Sequence, residues 1–403
     1  MVAAAKDFLK IYWPLVLVAF VGLVLTLMLM DPAPPKTIRF AAGPPGGAYY
    51  TYAERYQRLL GEQDVNVTLI QTAGSVENLR LLDEGSADVA LVQGGLATPG
   101  DAETLRSLGG LFHEPFWVFV RDEAGVTDFG QLRDLRMAIG PDGSGTRLLG
   151  LDLQAEFDGV WPAPARNSLS GTAAANALIE GKLDAAAFAA SPDAVYVQTL
   201  LRAPGISLLP FERAEALSRR QPALAAVVLL RGVVDIGADL PAHDVSLVAP
   251  VAQLVVRKSL HPAIEALLVD SASAIHQDGS LFARAGAFPD PDSTDLPVSR
   301  QVQRYYENGP SFLRRYFSFD LANFLDRAWI LAIPLLTLLF PLVRVAPPIY
   351  RWRVRRKIYI WYKDLRDLES RGRNMPTQEE RAAITDELED LQVEIGALDV
   401  PLS

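Results

Sequence analysis

Glycines and small hydroxyl side chains, rather than metal ligands or paired acids, are the residues of this chain whose spacing could do chemistry. Gly46 and Gly47 follow a short β run and precede an amphipathic helix, so backbone N–H groups and a positive helix end would meet there. Ser144 and Thr146 occupy the corresponding turn before a later helix. Groups of this kind bind anions, and the sequence therefore predicts a site for a small anion.

Ten residues are candidates for binding that ligand, because each lies at a glycine-rich turn, near a helix start or at the end of an apolar strand. They are Gly46, Gly47, Tyr49, Ser75, Asn78, Gln93, Ser144, Thr146, Arg147 and Thr172. A hydroxyl at a helix start can cap the helix and face a ligand, and Gln93 ends a strand where open α/β sheets present ligand groups. Arg147 is either a bidentate partner for a carboxylate or a solvated surface residue. Asn78 fits a structural role as well as a binding one.

Catalytic and cofactor chemistry find little support. The 4 histidines lack metal-ligand spacing, no G-x-S-x-G turn is present, and a chain without cysteine forms no disulfide or iron–sulfur cluster. The apolar run 65–70 is followed by Gln71 and Thr72, whereas a dinucleotide-binding fold has an acidic residue at this point. The turn 140–146 lacks the lysine of a P-loop, which argues against a nucleotide-phosphate site. The net charge of −10 argues against nucleic acid as a partner. We predict no enzymatic activity, no cofactor and no metal.

Two stretches of the chain, 96 residues apart, repeat the same pattern of helix, glycine, aspartate and apolar strand. In each stretch a glycine opens the helix, at Gly74 and Gly171, and a second glycine ends it, at Gly85 and Gly181. An aspartate, Asp88 or Asp184, then precedes the strand. One such unit is ordinary α/β architecture. Two of them predict two similar α/β lobes with a cleft between them.

Two apolar runs are long enough to cross a membrane. Residues 11–30 carry no charge, and residues 328–346 carry only Arg344, near the end of the run. Basic residues precede the first run and follow the second, so the positive-inside rule places both termini in the cytoplasm. The alternatives are a cleaved signal peptide and a buried soluble helix. The sequence predicts a two-pass protein of the bacterial inner membrane with a periplasmic central domain.

The segment 350–398 is predicted to be a cytoplasmic helical tail. An aromatic-rich helix over 358–368 could lie on anionic membrane lipid. Thr377 and Glu380 then form a capping box. Beyond it, apolar residues recur at spacings of four and three, at Ile384, Leu388, Leu391, Ile395 and Leu398. This pattern is typical of a coiled coil of about two heptads, or of an antiparallel hairpin with the preceding helix.

Four motifs together resemble the TAXI family of solute-binding proteins, the extracytoplasmic receptors of TRAP transporters. They are the glycine-rich loop that ends in Tyr49-Tyr50, the helix start at 75–79, the strand at 85–93 and the turn at 140–146. The resemblance covers about residues 38–290. It implies a type II periplasmic-binding fold, in which two α/β lobes close over a small molecule, often a carboxylate, and deliver it to a sodium-driven permease.

The predicted architecture combines that fold with the two membrane helices and the tail. Its parts are a cytoplasmic N-terminus (1–10), a transmembrane helix (11–30), lobe 1 (36–121 and 231–310), lobe 2 (122–230), a second transmembrane helix (328–346) and the tail (350–398). Residues 116–120 are predicted to be an apolar and aromatic strand that connects the lobes.

The predicted function is a membrane-anchored extracytoplasmic receptor that binds a small organic anion for TRAP-type permease subunits. The alternative is an envelope sensor or scaffold that docks another envelope protein and signals through its helices and tail. Membrane lipid is a partner in both.

Overall fold

The computed structural model describes residues 33–157, 166–310, 312–317, 361–373 and 377–396, together with scattered positions in 17–24 and 319–359. The chain divides into two compact units, Ala33–Phe319 and a second unit that joins Met1–Pro32 to Asp320–Ser403. Among the described residues, no helix has the length and apolar character needed to cross a membrane. The predicted transmembrane helices, 11–30 and 328–346, lie largely outside the described residues.

The described part of the first unit contains eleven strands and nine α-helices, and an α-helix of the second unit is numbered with them. The strands are β1 (Thr37–Gly43), β2 (Asn66–Gln71), β3 (Val89–Gln93), β4 (Leu105–His113), β5 (Phe116–Arg121), β6 (Met137–Ala138), β7 (Arg166–Asn167), β8 (Ala185–Ala189), β9 (Ile206–Leu208), β10 (Leu224–Leu229) and β11 (Val245–Arg257). The helices are α1 (Ala48–Gly61), α2 (Ser75–Asp83), α3 (Asp101–Thr104), α4 (Gly145–Glu156), α5 (Gly171–Ile179), α6 (Val195–Leu201), α7 (Ala214–Arg220), α8 (Pro262–His276), α9 (Arg300–Asn308) and α10 (Gln378–Gly396). Short 3-10 turns occupy Asp122–Ala124, Phe129–Asp134 and Phe312–Arg315.

The first sheet has the strand order β10-β11-β3-β1-β2, and β4 also pairs with β11. β1 is parallel to β2 and β3, whereas β11 is antiparallel to β3. β3 is buried along its length and apolar up to Gln93, because its two faces enter different core clusters. Val89 and Leu91 pack in the cluster that includes α1 and α8, and Ala90 and Val92 pack in the cluster that includes α2.

The second sheet has the order β7-β6-β8-β5-β9. Residues 116–120, predicted as an apolar and aromatic strand that connects the lobes, lie in β5, which pairs antiparallel with β8 and β9. The chain therefore enters the second sheet before the lobe boundary predicted at residue 122.

β11 is long enough to take part in both hydrophobic cores. Its first half pairs with β10, and Leu247 and Val248 belong to the core of the second sheet. Its second half pairs with β3 and β4, and Leu254 and Val256 belong to the core of the first sheet. One continuous strand of the first sheet thus links the two hydrophobic cores. The coarse prediction of a mixed α/β fold with two sheets is confirmed.

The repeated aspartates have equivalent partners in the two sheets. Asp88 accepts hydrogen bonds from the backbone N–H of Arg39 and from its guanidinium, with Nη2 2.7 Å from Oδ1. Asp184 accepts the same set from Arg136, with an Nη2–Oδ1 distance of 2.6 Å. Arg39 lies in β1, and Arg136 immediately precedes β6. The sequence repeat therefore corresponds to a repeat of three-dimensional structure.

The second unit contains helical residues 361–373 and α10. The predicted capping box is confirmed: the Thr377 N–H donates to Glu380 Oε2 at 2.8 Å, and the Glu380 N–H donates to Thr377 Oγ1 at 3.4 Å. An ion pair of 2.8 Å joins Arg371 to Glu387 of α10, which favours the hairpin over the coiled coil. Leu388, on the predicted apolar seam, is 45% exposed.

Candidate functional site

A cavity of about 310 Å³ lies between the two sheets, at the carboxyl ends of strands from both. This is where open α/β sheets bind ligands, and the volume suits a small metabolite. The lining residues come from the loops and helix starts that follow β1, β2, β6 and β7, and from the ends of β3 and β8. Those on the first-sheet side include Gly46, Gly47, Tyr49, Gly74, Ser75, Gln93 and Glu114, and those on the second-sheet side include Ser144, Gly145, Thr146, Ser170, Gly171, Thr172, Ala189 and Tyr196.

Four helix N-termini converge on this cavity. The N-cap residues of α1, α2, α4 and α5 all line it, and they are Gly47, Gly74, Ser144 and Ser170. Ser144 caps its own helix by accepting a hydrogen bond from the Arg147 N–H at 3.3 Å. In α1, α2 and α5, all within the described residues, the N-cap residue makes no side-chain hydrogen bond to the helix. First-turn N–H groups and helix dipoles therefore give the cavity a positive electrostatic character.

A chain of hydrogen bonds runs along the first-sheet side of the cavity. The backbone N–H of Gln93 donates to Ser75 Oγ at 3.0 Å, and Ser75 Oγ donates to the Tyr49 hydroxyl at 3.4 Å. The Tyr49 hydroxyl in turn donates to Glu114 Oε2 at 2.6 Å. The chain orients Ser75 and Tyr49 and ends on a carboxyl group.

Glu114 is the acidic residue of the lining, and it is only 3% exposed. Burial raises its pKa to about 8, although the hydrogen bond from Tyr49 acts in the opposite direction. Burial, followed by the proximity of Glu114, raises the pKa of Tyr49 well above its ordinary value. At neutral pH both groups are therefore predominantly uncharged, and the cavity carries little negative charge of its own.

Eight of the ten predicted binding residues line the cavity, namely Gly46, Gly47, Tyr49, Ser75, Gln93, Ser144, Thr146 and Thr172. Their binding roles stay predictions. Thr146 also supports the second sheet, because its Oγ1 accepts a hydrogen bond from the Ala189 N–H at 3.0 Å.

The structure does not bring Asn78 and Arg147 into the cavity lining. Asn78 is fully buried, accepts a 2.6 Å hydrogen bond from Thr72 Oγ1 and donates to the Leu91 carbonyl at 2.8 Å. Arg147 Nε donates to the Gly140 carbonyl at 2.9 Å, and the guanidinium pairs with Asp142 at 3.3 Å. Side chains in the first turn of a helix lean toward its N-terminus, and this directs Arg147 onto its own loop.

Sequence reasoning missed Glu114 and Tyr196. Glu114 stands between the apolar runs that form β4 and β5, so a lone acidic residue inside an otherwise apolar stretch was the available signal. Tyr196 lies in the first turn of α6, and one of its ring carbons is 3.7 Å from the position that a Cβ on Gly171 would take. No sequence feature linked it to the cavity. Within the described residues, no group of three or more histidines and acids is placed to hold a metal ion.

Comparison with solved structures finds partial matches at low identity. A protein from Bordetella bronchiseptica RB50 is 16% identical over 60% of this chain and 70% of its own, with a TM-score of 0.42. The effector-binding domain of QuiR in complex with shikimate is 14% identical over 60% of this chain and 97% of its own, with a TM-score of 0.39. The alkanesulfonate-binding protein SsuA from Xanthomonas axonopodis pv. citri, bound to MOPS, is 17% identical over 60% and 74%, with a TM-score of 0.39.

The sequence itself matches a family model over a large part of the unit that holds the cavity. The model of the NMT1-like family matches residues 40–264. This range exceeds half of the 403-residue chain and includes all the residues that line the cavity. The chain therefore belongs to the NMT1-like family.

Proposed function

We propose that this protein is a receptor that binds a small organic anion in the cavity between its two sheets. The observation that supports this most is the convergence of four helix N-termini on the cavity, three of them without a side-chain cap. An anion there would accept hydrogen bonds from backbone N–H groups and from the hydroxyl of Thr172. Arg147 has no part in this scheme, because it bonds to its own loop.

The anion is a carboxylate in this proposal, and binding occurs without chemical change. Glu114, the carboxyl group of the described lining, is mostly protonated at pH 7, so it is not available as an ionised base beside the hydroxyls of the cavity. A receptor needs only the complementary surface, and contributions from both sheets would let the ligand stabilise their closure.

We further propose that the receptor is anchored in the bacterial inner membrane by 11–30 and 328–346, faces the periplasm and serves a TRAP-type permease. This part of the proposal rests on the two apolar runs, the flanking basic residues and the TAXI resemblance of the sequence. It predicts that both termini are protected from protease added to sealed spheroplasts.

The anion is tested with matched ligands. Succinate and its uncharged diamide, succinamide, are titrated into the full-length chain by isothermal titration calorimetry. The proposal predicts saturable binding of succinate and none of succinamide. Equal binding of the two compounds would contradict it, because backbone N–H groups and helix dipoles favour a carboxylate over an amide.

The alternative, a sensor or scaffold, is favoured by one observation on the tail. Leu388 and Val393 of α10 are 45% and 73% exposed, so the helix presents apolar side chains that a partner could cover. Deletion of residues 347–403 separates the two functions. Unchanged uptake of the solute after the deletion supports transport, and loss of a signalling or assembly phenotype supports the alternative.

A further inference from the structure

Glu114 places a buried carboxyl group in the wall of the cavity, and its position is fixed from several sides. Its backbone N–H donates to the Pro250 carbonyl of β11 at 2.9 Å, and its Oε2 accepts from Tyr49 at 2.6 Å. Among the described residues, no hydrogen bond involves its other oxygen, Oε1. A ligand in the cavity can therefore reach one free oxygen of a carboxyl group that the protein holds in place.

The surroundings of this carboxyl offer it no positive side chain. None of the described residues that line the cavity is a lysine, arginine, histidine or aspartate. The titratable groups that face Glu114 are Tyr49 from α1 and Tyr196 from α6, and burial raises the pKa of both hydroxyls. A charged Glu114 would thus stand in the same cavity as a bound anion without a compensating cation.

We propose that Glu114 is a specificity-determining residue that binds the anion as a neutral carboxylic acid, donating a hydrogen bond from Oε1 while Tyr49 donates to Oε2. This inference rests on the proposed function and goes beyond it, because it assigns to the ligand a hydrogen-bond acceptor, not an ammonium group, at the Glu114 end. The helix N-termini and the neutral acid can then bind the same ligand. The helix N-termini bind its negative charge, and Glu114 donates a hydrogen bond to its acceptor.

Binding is consequently coupled to the protonation of Glu114. Burial raises the pKa of this carboxyl to about 8, so it carries its proton at neutral pH. Above that pH the anion must either drive proton uptake or be repelled, and its affinity falls by roughly tenfold per pH unit. A ligand with an ammonium group at this position would show the opposite trend, because it would pair with the ionised form.

The pH dependence of succinate affinity tests the inference in the full-length chain between pH 6.5 and 9.5. We expect wild-type affinity to be constant below about pH 8 and to fall above it. Glu114→Gln keeps a neutral donor, so this variant should bind succinate at every pH without the alkaline fall. Tyr49→Phe removes a hydrogen bond that favours the ionised acid, and the fall should move to higher pH.

Glu265→Gln is the matched control. Glu265 is also buried, with a raised pKa and a 2.6 Å hydrogen bond from Ser299, but it does not line the cavity. This variant should keep the wild-type pH profile. Circular dichroism melting establishes that each variant is folded, and ¹³C NMR of the glutamate carboxyls, compared between wild type and Glu114→Gln, follows the ionisation of Glu114 without any ligand.

The outcomes separate the two proposals. Succinate affinity that rises with pH, or that stays constant in the wild type, overturns the role of Glu114 and leaves the anion receptor standing. An NMR signal that shows Glu114 ionised at pH 6.5 also overturns that role. Failure of the wild type to bind succinate at any pH counts against the proposed function, and the inference falls with it.

Discussion

The side chain of Gln93 lies directly against Gly145, so that a Cβ on Gly145 would overlap Oε1 of Gln93 and lie 3.0 Å from its Cδ. Gln93 ends β3 of the first sheet, and Gly145 begins α4 beside the second sheet. The contact therefore joins the two sides of the cavity, and Gln93 is only 3% exposed. A Cβ at position 145 would fit only if the amide of Gln93, the end of a flexible side chain, moved away.

Gly145→Ala should displace the Gln93 amide in the cavity lining and weaken ligand binding. Overpacking of a buried contact costs about 1–3 kcal/mol, which corresponds to about 5- to 150-fold in the dissociation constant of succinate. Gly61→Ala is the control, because a Cβ there meets open space at the end of α1. Equal succinate affinity in both variants would show that this contact does not limit closure.

Glu114→Gln should change how the free energy of unfolding depends on pH. The carboxyl has a pKa of about 8 in the folded protein, above its value in the unfolded chain, so it contributes stability at low pH that is lost as pH rises through 8. Between pH 6 and 9 the wild type should lose about 2–3 kcal/mol that the variant retains. Urea denaturation at both pH values measures the free energy of unfolding. An equal change in the wild type and in Glu114→Gln would contradict a raised pKa of Glu114 in the folded protein.

His276 should make the protein sensitive to acid. Its ring packs between Tyr52 and Phe112, and burial, with a smaller effect of Arg55, lowers its pKa to about 3. Its stabilising contribution is complete above the unfolded pKa, near 6.5, and is lost as pH falls toward 3.

Replacing His276 with leucine should therefore reduce the loss of unfolding free energy between pH 6.5 and 4 by about 2–3 kcal/mol. His243→Gln, at an exposed position, is the control and should behave as the wild type. Urea denaturation across this pH range measures the free energy of unfolding. If His276→Leu loses as much of it toward acid pH as the wild type does, other groups cause the acid sensitivity.

Arg147→Gln should leave anion binding nearly unchanged. The guanidinium is held by the Gly140 carbonyl and by Asp142 outside the cavity, so we expect the dissociation constant of succinate to stay within about twofold, since no ligand contact is lost. Thr172→Asp, which adds a negative charge to the cavity lining, is the contrasting variant and should abolish binding. A tenfold loss of affinity in Arg147→Gln would restore the carboxylate-binding role that the sequence suggested.

Much of the site could be predicted from the sequence because its local signals are strong. Glycines that need a positive φ, such as Gly46 (φ 77°) and Gly143 (φ 79°), mark the turns before helices, and hydroxyls at helix starts mark the N-termini. Such local signals place Ser75 and Thr172 at the cavity without any knowledge of long-range packing. The repeat in the sequence also pointed correctly to two sheets of similar construction.

The remainder depends on contacts between distant parts of the chain. Glu114 reaches Tyr49 only because β4 and β5 carry the chain from one sheet to the other, and sequence spacing does not encode this crossing. The direction of the Arg147 side chain was ambiguous for a similar reason. The helix start fixes the backbone position of Arg147, but the contacts of its side chain with Gly140 and Asp142 decide whether that side chain faces the ligand.

Native mass spectrometry of the purified full-length chain tests the central claim most directly, because it weighs whatever small molecule the cavity retains. We predict one small organic anion per chain in the wild type and in Thr172→Asn, and its loss in Thr172→Asp. A bound neutral or cationic compound, or an anion that Thr172→Asp retains in full, would contradict an anion site at these helix N-termini.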